Sequence, residues 1–524
     1  MNEAATATGP SHAPAGRQRI LLVPLDERPV SSELPGLVAA IAGAAVELPP
    51  ASGRPRLREA GDADLVAEWL RTAATGADGV VVSLDALGFG GLIPSRIGTE
   101  PIEAVLARWS VLRGLDVPVH AAVVVPRSPD ADDAFEEPDY WERWGRALHA
   151  LSTELGDSGG PAHAASATVR PGETASASPT IEIPADVRAD WLARRLRQHA
   201  LALSALGLAA DGSIDRLFVG VDDAVPGSLS AAAQGDLATW AGRLDLGDRV
   251  VVGPGADETA TVLTTRLIAD RAGGGAIRVA VVCAEPDGLE RIAPYETGAV
   301  GETARTQLRA AGAVPVREGD DHDAVLVVHA PAGAGAGDWA VAPPATTDAS
   351  AAGRTVALVR AHLDAGRSVA VADTAQPNGA DPELVRALLA DGAYWRLDGF
   401  AAWNTAGNTL GTVAGHLVVA TAARGAGSYD AAAAERHLRL RLIEDYAYMS
   451  FARARLRSEL ASRADRHDRL DDVDAAAARA AQLMTEALAA LPGAGPALEV
   501  AAADVSFPWR RTFEVRLRST AGER

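Results

Sequence analysis

The chain repeats one local pattern eleven times: a short run of β-branched and small apolar residues, a polar or glycine turn, and in most cases a longer amphipathic stretch. The runs are RILLVPLD (19–26), AAVELPP (44–50), GVVVSLDAL (79–87), VHAAVVVPR (119–127), RLFVGVDD (216–223), RVVVGPGAD (249–257), IRVAVVCAE (277–285), AVPVRE (313–318), AVLVVHAP (324–331), SVAVADTA (368–375) and GFAAWNTAG (399–407). Helical stretches such as DADLVAEWLRTAA, PIEAVLARWSVLRG and ETATVLTTRLIADRA separate them. Alternation of this kind specifies parallel strands joined by crossover helices, an α/β protein. Eleven strands exceed a single eight-stranded barrel.

The expected architecture is therefore a (β/α) barrel-like N-terminal domain over 19–272, a smaller doubly wound, Rossmann-like α/β domain over 273–425, and a helical C-terminal region with a closing strand over 426–524. The alternative is two consecutive Rossmann-like open sheets. Gly273, Gly274 and Gly275 suggest the boundary. Residues 1–18 read as a disordered tail, and 156–182, rich in Ser, Ala, Gly and Pro, as a mobile insertion.

Composition narrows the class of partner. The net charge is −20 and the 49 basic residues are all arginine, dispersed along helical segments, which argues against nucleic acid or an anionic membrane surface. Cys283 is the one cysteine, so there is no internal disulfide and no thiolate-rich metal site. No run is long and apolar enough to span a bilayer, and residues 1–18 lack the apolar core of a signal peptide. A soluble cytoplasmic protein acting on a small molecule is expected, with its oligomeric state unknown.

In parallel sheets, ligands gather at the carboxyl ends of the strands. Almost every expected strand here ends in polar groups: Asp26 and Arg28 after the first, Asp85 and Arg96 after the third, and Arg127 after the fourth. Asp222 with Asp223, Asp257 with Glu258, Asp373 with Asn378, and Trp403, Asn404 and Asn408 follow the same rule. Any one of these acids alone reads most simply as a helix cap or turn former; recurrence across the strand ends points to a shared site. Asp222 and Asp223 are adjacent where Pro226 and Gly227 begin to turn the chain. Carboxylates held close titrate apart, so one is expected to keep a proton near neutrality.

Arg96, after the glycines at 88, 90 and 91, suits bidentate contact to an anionic group. Trp403 beside Asn404 and Asn408 suits a sugar ring and its hydroxyls. There is no dinucleotide fingerprint, P-loop, HExxH or GxSxG, so no nucleotide cofactor, zinc site or serine triad is expected. A carboxylate-bound magnesium or calcium stays open. The segment FPWRRTFEV (507–515) alternates aromatic and charged residues like an edge strand docking a domain.

Together PLDERPV, SLDALGFGGLIPSR, VDDAVPG, GPGADE, ADTAQPNGAD, AWNTAGNTLG and PWRRTFEV resemble an uncharacterised bacterial family of about this length, from about residue 19 to 517. That family is known only as a domain of unknown function, number four-one-two-seven, and carries no activity to transfer. The acid pair with a downstream WN also looks like substrate-assisted N-acetyl-hexosaminidases, which use a (β/α) barrel. That likeness implies that Asp222 orients the acetamido group, that Asp223 protonates the leaving oxygen, and that Trp403 and Asn404 contact the sugar. The leading expectation is a hydrolase of a carbohydrate-like small substrate centred on Asp222 and Asp223. A non-catalytic two-domain small-molecule binding protein and a magnesium-dependent enzyme are the alternatives.

Overall fold

The computed structural model describes residues 17–157, 182–273, 275–332, 337–340, 348–459, 469–493 and 498–518. The expected tail and insertion lie almost wholly outside the described residues.

All eleven expected strands form. β1 (Arg19–Val23), β2 (Ala45–Glu47), β3 (Gly79–Ser83), β4 (Val119–Val125), β5 (Arg216–Val221) and β6 (Val250–Pro254) make one sheet. β7 (Ile277–Cys283), β8 (Ala313–Val316), β9 (Ala324–His329), β10 (Ser368–Asp373) and β11 (Gly399–Ala401) make a second. Every pairing in both is parallel.

The first sheet runs β2-β1-β3-β4-β5-β6 and the second β8-β7-β9-β10-β11. Each thus begins at an interior strand, places its second strand on one side and its remaining strands in order on the other. This is doubly wound order. β2 and β6 are edges that do not pair with each other, so the first sheet is open. Of the two architectures expected, the barrel gives way to the open-sheet alternative. Whether six strands close depends on their tilt and stagger, which no single strand encodes.

The strands β1, β3, β4, β5, β9 and β10 are buried on both faces, which explains why they read as continuous apolar runs rather than alternating ones. In the first sheet Leu21, Val23, Val80, Val82, Val123 and Leu217 face one way, toward helices such as Ala63–Ala73 and Ala185–Ala210. Ile20, Leu22, Val81 and Phe218 face the other way. There they share a core with Val279, Val281, Leu326 and Val328 of the second sheet. The helices Thr259–Arg271, Val300–Ala311 and Ala406–Ala426 supply that common layer. The outer face of the second sheet is covered by Ala349–Asp364, Pro382–Ala390 and the C-terminal helix Val473–Ala489. Because both sheets lean on the same helices, their carboxyl ends are held against one another.

Two expected boundaries shift. β3 stops at Ser83, whose hydroxyl accepts from Ala86 N, so Asp85 lies in the first turn of the helix Leu84–Phe89 and not in a loop. The C-terminal run forms only a two-residue antiparallel pair, β12 (Val505–Ser506) with β13 (Arg516–Leu517). Its middle leaves the sheet and crosses to the candidate site.

Candidate functional site

A cavity of about 220 Å³ opens where the carboxyl ends of the two sheets meet. The first sheet contributes Asp222 and Asp223 after β5 and the stretch Pro254 to Asp257 at the end of β6, with Arg28, Arg96 and Arg127 from the loops and helix that follow β1, β3 and β4. The second contributes Tyr295 and Glu296 after β7, Asn378 after β10, and Asn404, Thr405 and Asn408 after β11. Asp338, Arg511 and Phe513 complete the wall.

The first-sheet wall is an arginine–carboxylate network. Arg96 donates to Asp222 (2.5 Å), Glu136 (3.0 Å) and Glu137 (3.3 Å). Arg127 donates to Asp223 (2.8 Å) and to the same Oε2 of Glu136 (2.9 Å). The other oxygen of Glu136 accepts from Arg511. Glu136 is therefore the junction through which the C-terminal segment holds both arginines, and through them both aspartates. Arg28 bridges Asp26 and Asp257, each at 2.6 Å, and lies under the Trp509 ring, 4.5 Å from its centroid. Trp509 in turn donates to Glu27 (2.6 Å).

The second-sheet wall is built from amides and acids. Asn378 N–H donates to the carbonyl of Asn404 (2.8 Å), tying the loop after β10 to the loop after β11. Asn404 Nδ2 reaches Asp257 (3.3 Å), and Asn378 Nδ2 reaches Asp338 (2.9 Å), which also accepts from the Tyr295 hydroxyl (2.7 Å). Asp223, Tyr295, Asn378 and Asn404 all have left-handed backbones, with φ of 22°, 68°, 64° and 53°. Asparagine tolerates that region better than most side chains, so its placement at two of the four is the local reason the loops can turn inward. Strain concentrated around one cavity is characteristic of functional sites.

Burial sets the proton affinities. The Asp222 carboxyl is pushed up to about 6, first by desolvation and then by Asp223, against the pull of Arg96 and Arg127. Glu296 is pushed up to about 8 by desolvation. One of its oxygens accepts from Gly407 N (2.6 Å), at the start of the helix Ala406–Ala426, yet that contact does not offset the loss of water. Its other oxygen is buried without a hydrogen-bond partner. Near neutral pH the cavity thus holds a protonated carboxylic acid at Glu296 and a carboxyl at Asp222 that exchanges its proton readily.

The cavity brings together Arg28, Arg96, Arg127, Asp222, Asp223, Asp257, Asn378, Asn404 and Asn408 of the residues expected from the sequence. The others stand behind it. Asp26 holds Arg28. Asp85 accepts from Val124 N (2.9 Å) and locks the start of its helix to β4. Glu258 is fully buried and accepts from Asn408 (2.6 Å), Gln307 (2.7 Å) and Ala256 N (3.1 Å), anchoring the loop after β6 to the helix Ala406–Ala426. That anchor requires glycine opposite it: a Cβ at Gly411 would lie 2.2 Å from Glu258 Cγ. Asp373 accepts from Asp381 N (2.6 Å) and shapes the loop after its strand.

Trp403 does not line the cavity. Its indole N–H donates to Thr412 (3.0 Å) and its ring belongs to the shared core.

Sequence reasoning missed Glu136, Tyr295, Glu296, Asp338, Arg511 and Phe513. Arg511 and Phe513 sat in the conspicuous FPWRRTFEV segment, which caps the site rather than extending a sheet. The other four carry no local signal, because none directly ends a strand. Among the described residues, no group of three or more His, Cys, Asp or Glu side chains is arranged to hold a metal ion. No described helix is long and apolar enough to cross a membrane.

The model of a family described as proteins of unknown function, DUF4127, matches residues 20–518. The chain belongs to this family. No curated protein and no solved structure matches it. The likeness to N-acetyl-hexosaminidases gains no support from these comparisons, and the open first sheet lacks the barrel on which those enzymes depend. For this member of DUF4127, any account of activity rests on the cavity itself.

Proposed function

We propose that this DUF4127 protein hydrolyses a small, carbohydrate-like polyhydroxylated substrate, with Asp222 as the group that carries the proton. The observation behind this reading is a carboxyl held to about 6 by burial at the wall of an open cavity, beside a second carboxylate, Asp223, on strained backbone. A volume of about 220 Å³ falls below the roughly 300–1,000 Å³ of pockets for drug-sized ligands, and suits a single ring. Asp222 gives its proton to the departing oxygen as the bond to carbon breaks, and recovers one from the attacking water. Arg96 keeps Asp222 oriented, and Arg127 holds Asp223 beside it. The role of proton donor thus falls on the residue to which the hexosaminidase likeness assigned orientation.

The test is release from a panel of chromogenic glycosides, N-acetyl-hexosaminides included, by wild type, Asp222→Asn and Asp223→Asn. Wild type is expected to release at least one product, and Asp222→Asn to lose on the order of 10²- to 10⁴-fold in rate. Full activity in Asp222→Asn removes this residue from the chemistry. A second reading, capture of a small molecule without turnover, draws on the position of the cavity between two sheets of the same strand order. It predicts saturable stoichiometric binding and no product.

A further inference from the structure

The two walls of the cavity differ in how their charges are matched. On the first-sheet side each arginine already answers two or more carboxylates: Arg28 faces Asp26 and Asp257, Arg96 and Arg127 face Glu136 and the aspartate pair, and Arg511 faces Glu136 and Glu514. Among the described residues each of these guanidiniums is thus neutralised by carboxylates, although Arg96 Nε and Arg127 Nε are buried without a hydrogen-bond partner. On the second-sheet side Asp338 and Glu296 have no ion-pair partner among the described residues. Two polar atoms on that side are also unsatisfied: Asn378 Oδ1 and one Glu296 oxygen, which accepts once the group is ionised, are buried with no hydrogen-bond partner, in residues that are each 4% exposed. A buried acceptor left empty is costly, so a ligand that fills this wall supplies hydrogen-bond donors and positive charge.

We propose that the wall formed by Asp338, Asn378 and Glu296 binds a primary ammonium group, so that the substrate is an amine-bearing polyol of the amino-sugar class. An ammonium offers three N–H donors and no acceptor. Asn378 Oδ1, the Glu296 oxygen and the Asp338 carboxylate match those three donors. Asp338 is held in place for this by the Tyr295 hydroxyl (2.7 Å), Asn378 Nδ2 (2.9 Å) and Ala340 N (2.7 Å). The raised proton affinity of Glu296 arises from burial without a cation; an ammonium beside it restores the charged form.

The inference rests on the polyol reading above, and three probes separate the two. Thermal shift and calorimetric titration are made with D-glucosamine, D-glucose and ethanolamine at matched ionic strength, on wild type and Asp338→Asn. Glucosamine is expected to bind on the order of tenfold more tightly than glucose, the scale of one charge-assisted contact, and Asp338→Asn to erase that difference. Should Asp338→Asn fail to fold, Glu296→Gln provides the same comparison. Equal binding of glucose and glucosamine overturns the ammonium site and leaves the polyol reading standing. A preference for glucosamine that survives in the variants overturns the residues assigned. Binding of ethanolamine without either sugar supports the ammonium site and removes the polyol. No binding of any probe removes both.

Discussion

Replacing Glu296 by glutamine isolates the electrostatics of the cavity. Glutamine is nearly isosteric with the neutral acid, and its carbonyl still accepts from Gly407 N. The wild-type carboxyl keeps its proton to about 8 instead of 4.5 because burial removes water from it. Below pH 4.5 the group is protonated in both folded and unfolded chains and contributes nothing. As pH rises from 4.5 to 8 the unfolded chain loses this proton and the folded one does not, so wild-type stability falls by about 1.4 kcal/mol per pH unit. Above 8 both states are ionised, and the accumulated penalty is on the order of 5 kcal/mol.

The glutamine side chain, which does not titrate, carries none of this. The stability of Glu296→Gln relative to wild type should therefore climb steadily across the window and level off above about pH 8. For a chain of this length unfolding as one unit, that corresponds to roughly 4 °C in Tm. The assay is equilibrium urea unfolding at intervals from about pH 6.5 to 9, followed by tryptophan fluorescence in both proteins. His120 and His416, pushed down to about 4 by burial, contribute equally to both proteins and cancel in the difference. A difference that stays flat from about pH 6.5 to 8.5, or a variant less stable throughout, refutes the reasoning and means that Glu296 is ionised in the folded protein.

Other consequences are sharp enough to measure. If Asp222 is the proton donor, kcat/KM on any substrate found should decline as pH rises through about 6, its carboxyl value; a profile without that limb assigns the proton elsewhere. Gly411→Ala places a methyl group 2.2 Å from Glu258 Cγ in a fully buried junction and should destabilise by about 1–3 kcal/mol, seen as a lowered urea midpoint at unchanged m-value. Trp509→Ala removes the ring that stacks on Arg28 and Arg511 and donates to Glu27. It should lose about 3–5 kcal/mol, and calorimetry showing no change would mean that the C-terminal segment does not brace the site.

Much of the scaffold was legible because it is local. A strand covered on both faces must be apolar along its length, so β3, β4 and β9 announced themselves. The carboxyl end of such a strand is where side chains become polar, so Asp222, Asp223 and Asp257 could be picked out one by one. Trp403 stands outside the cavity wall, and an indole beside amides looks the same in sequence whether it meets a ligand or a neighbouring threonine. Asp85 and Glu258 stand behind the cavity, and an anchoring acid and a ligand-binding acid share the same strand-end position.

By itself, then, the sequence determined the class of fold, the strand positions and the ends at which polar groups collect, since these follow from burial and from backbone preferences within a few residues. Only the tertiary structure decided which of those ends face each other. The open edges of the first sheet, the helical layer common to both sheets, and the reach of Arg511 across 375 positions to Glu136 depend on pairings between distant segments. So do the charges that matter most. Glu296 and Asp222 differ from ordinary carboxyls through the water that their neighbours exclude, and exclusion of water is a property of the assembled cavity, written at no one position in the chain.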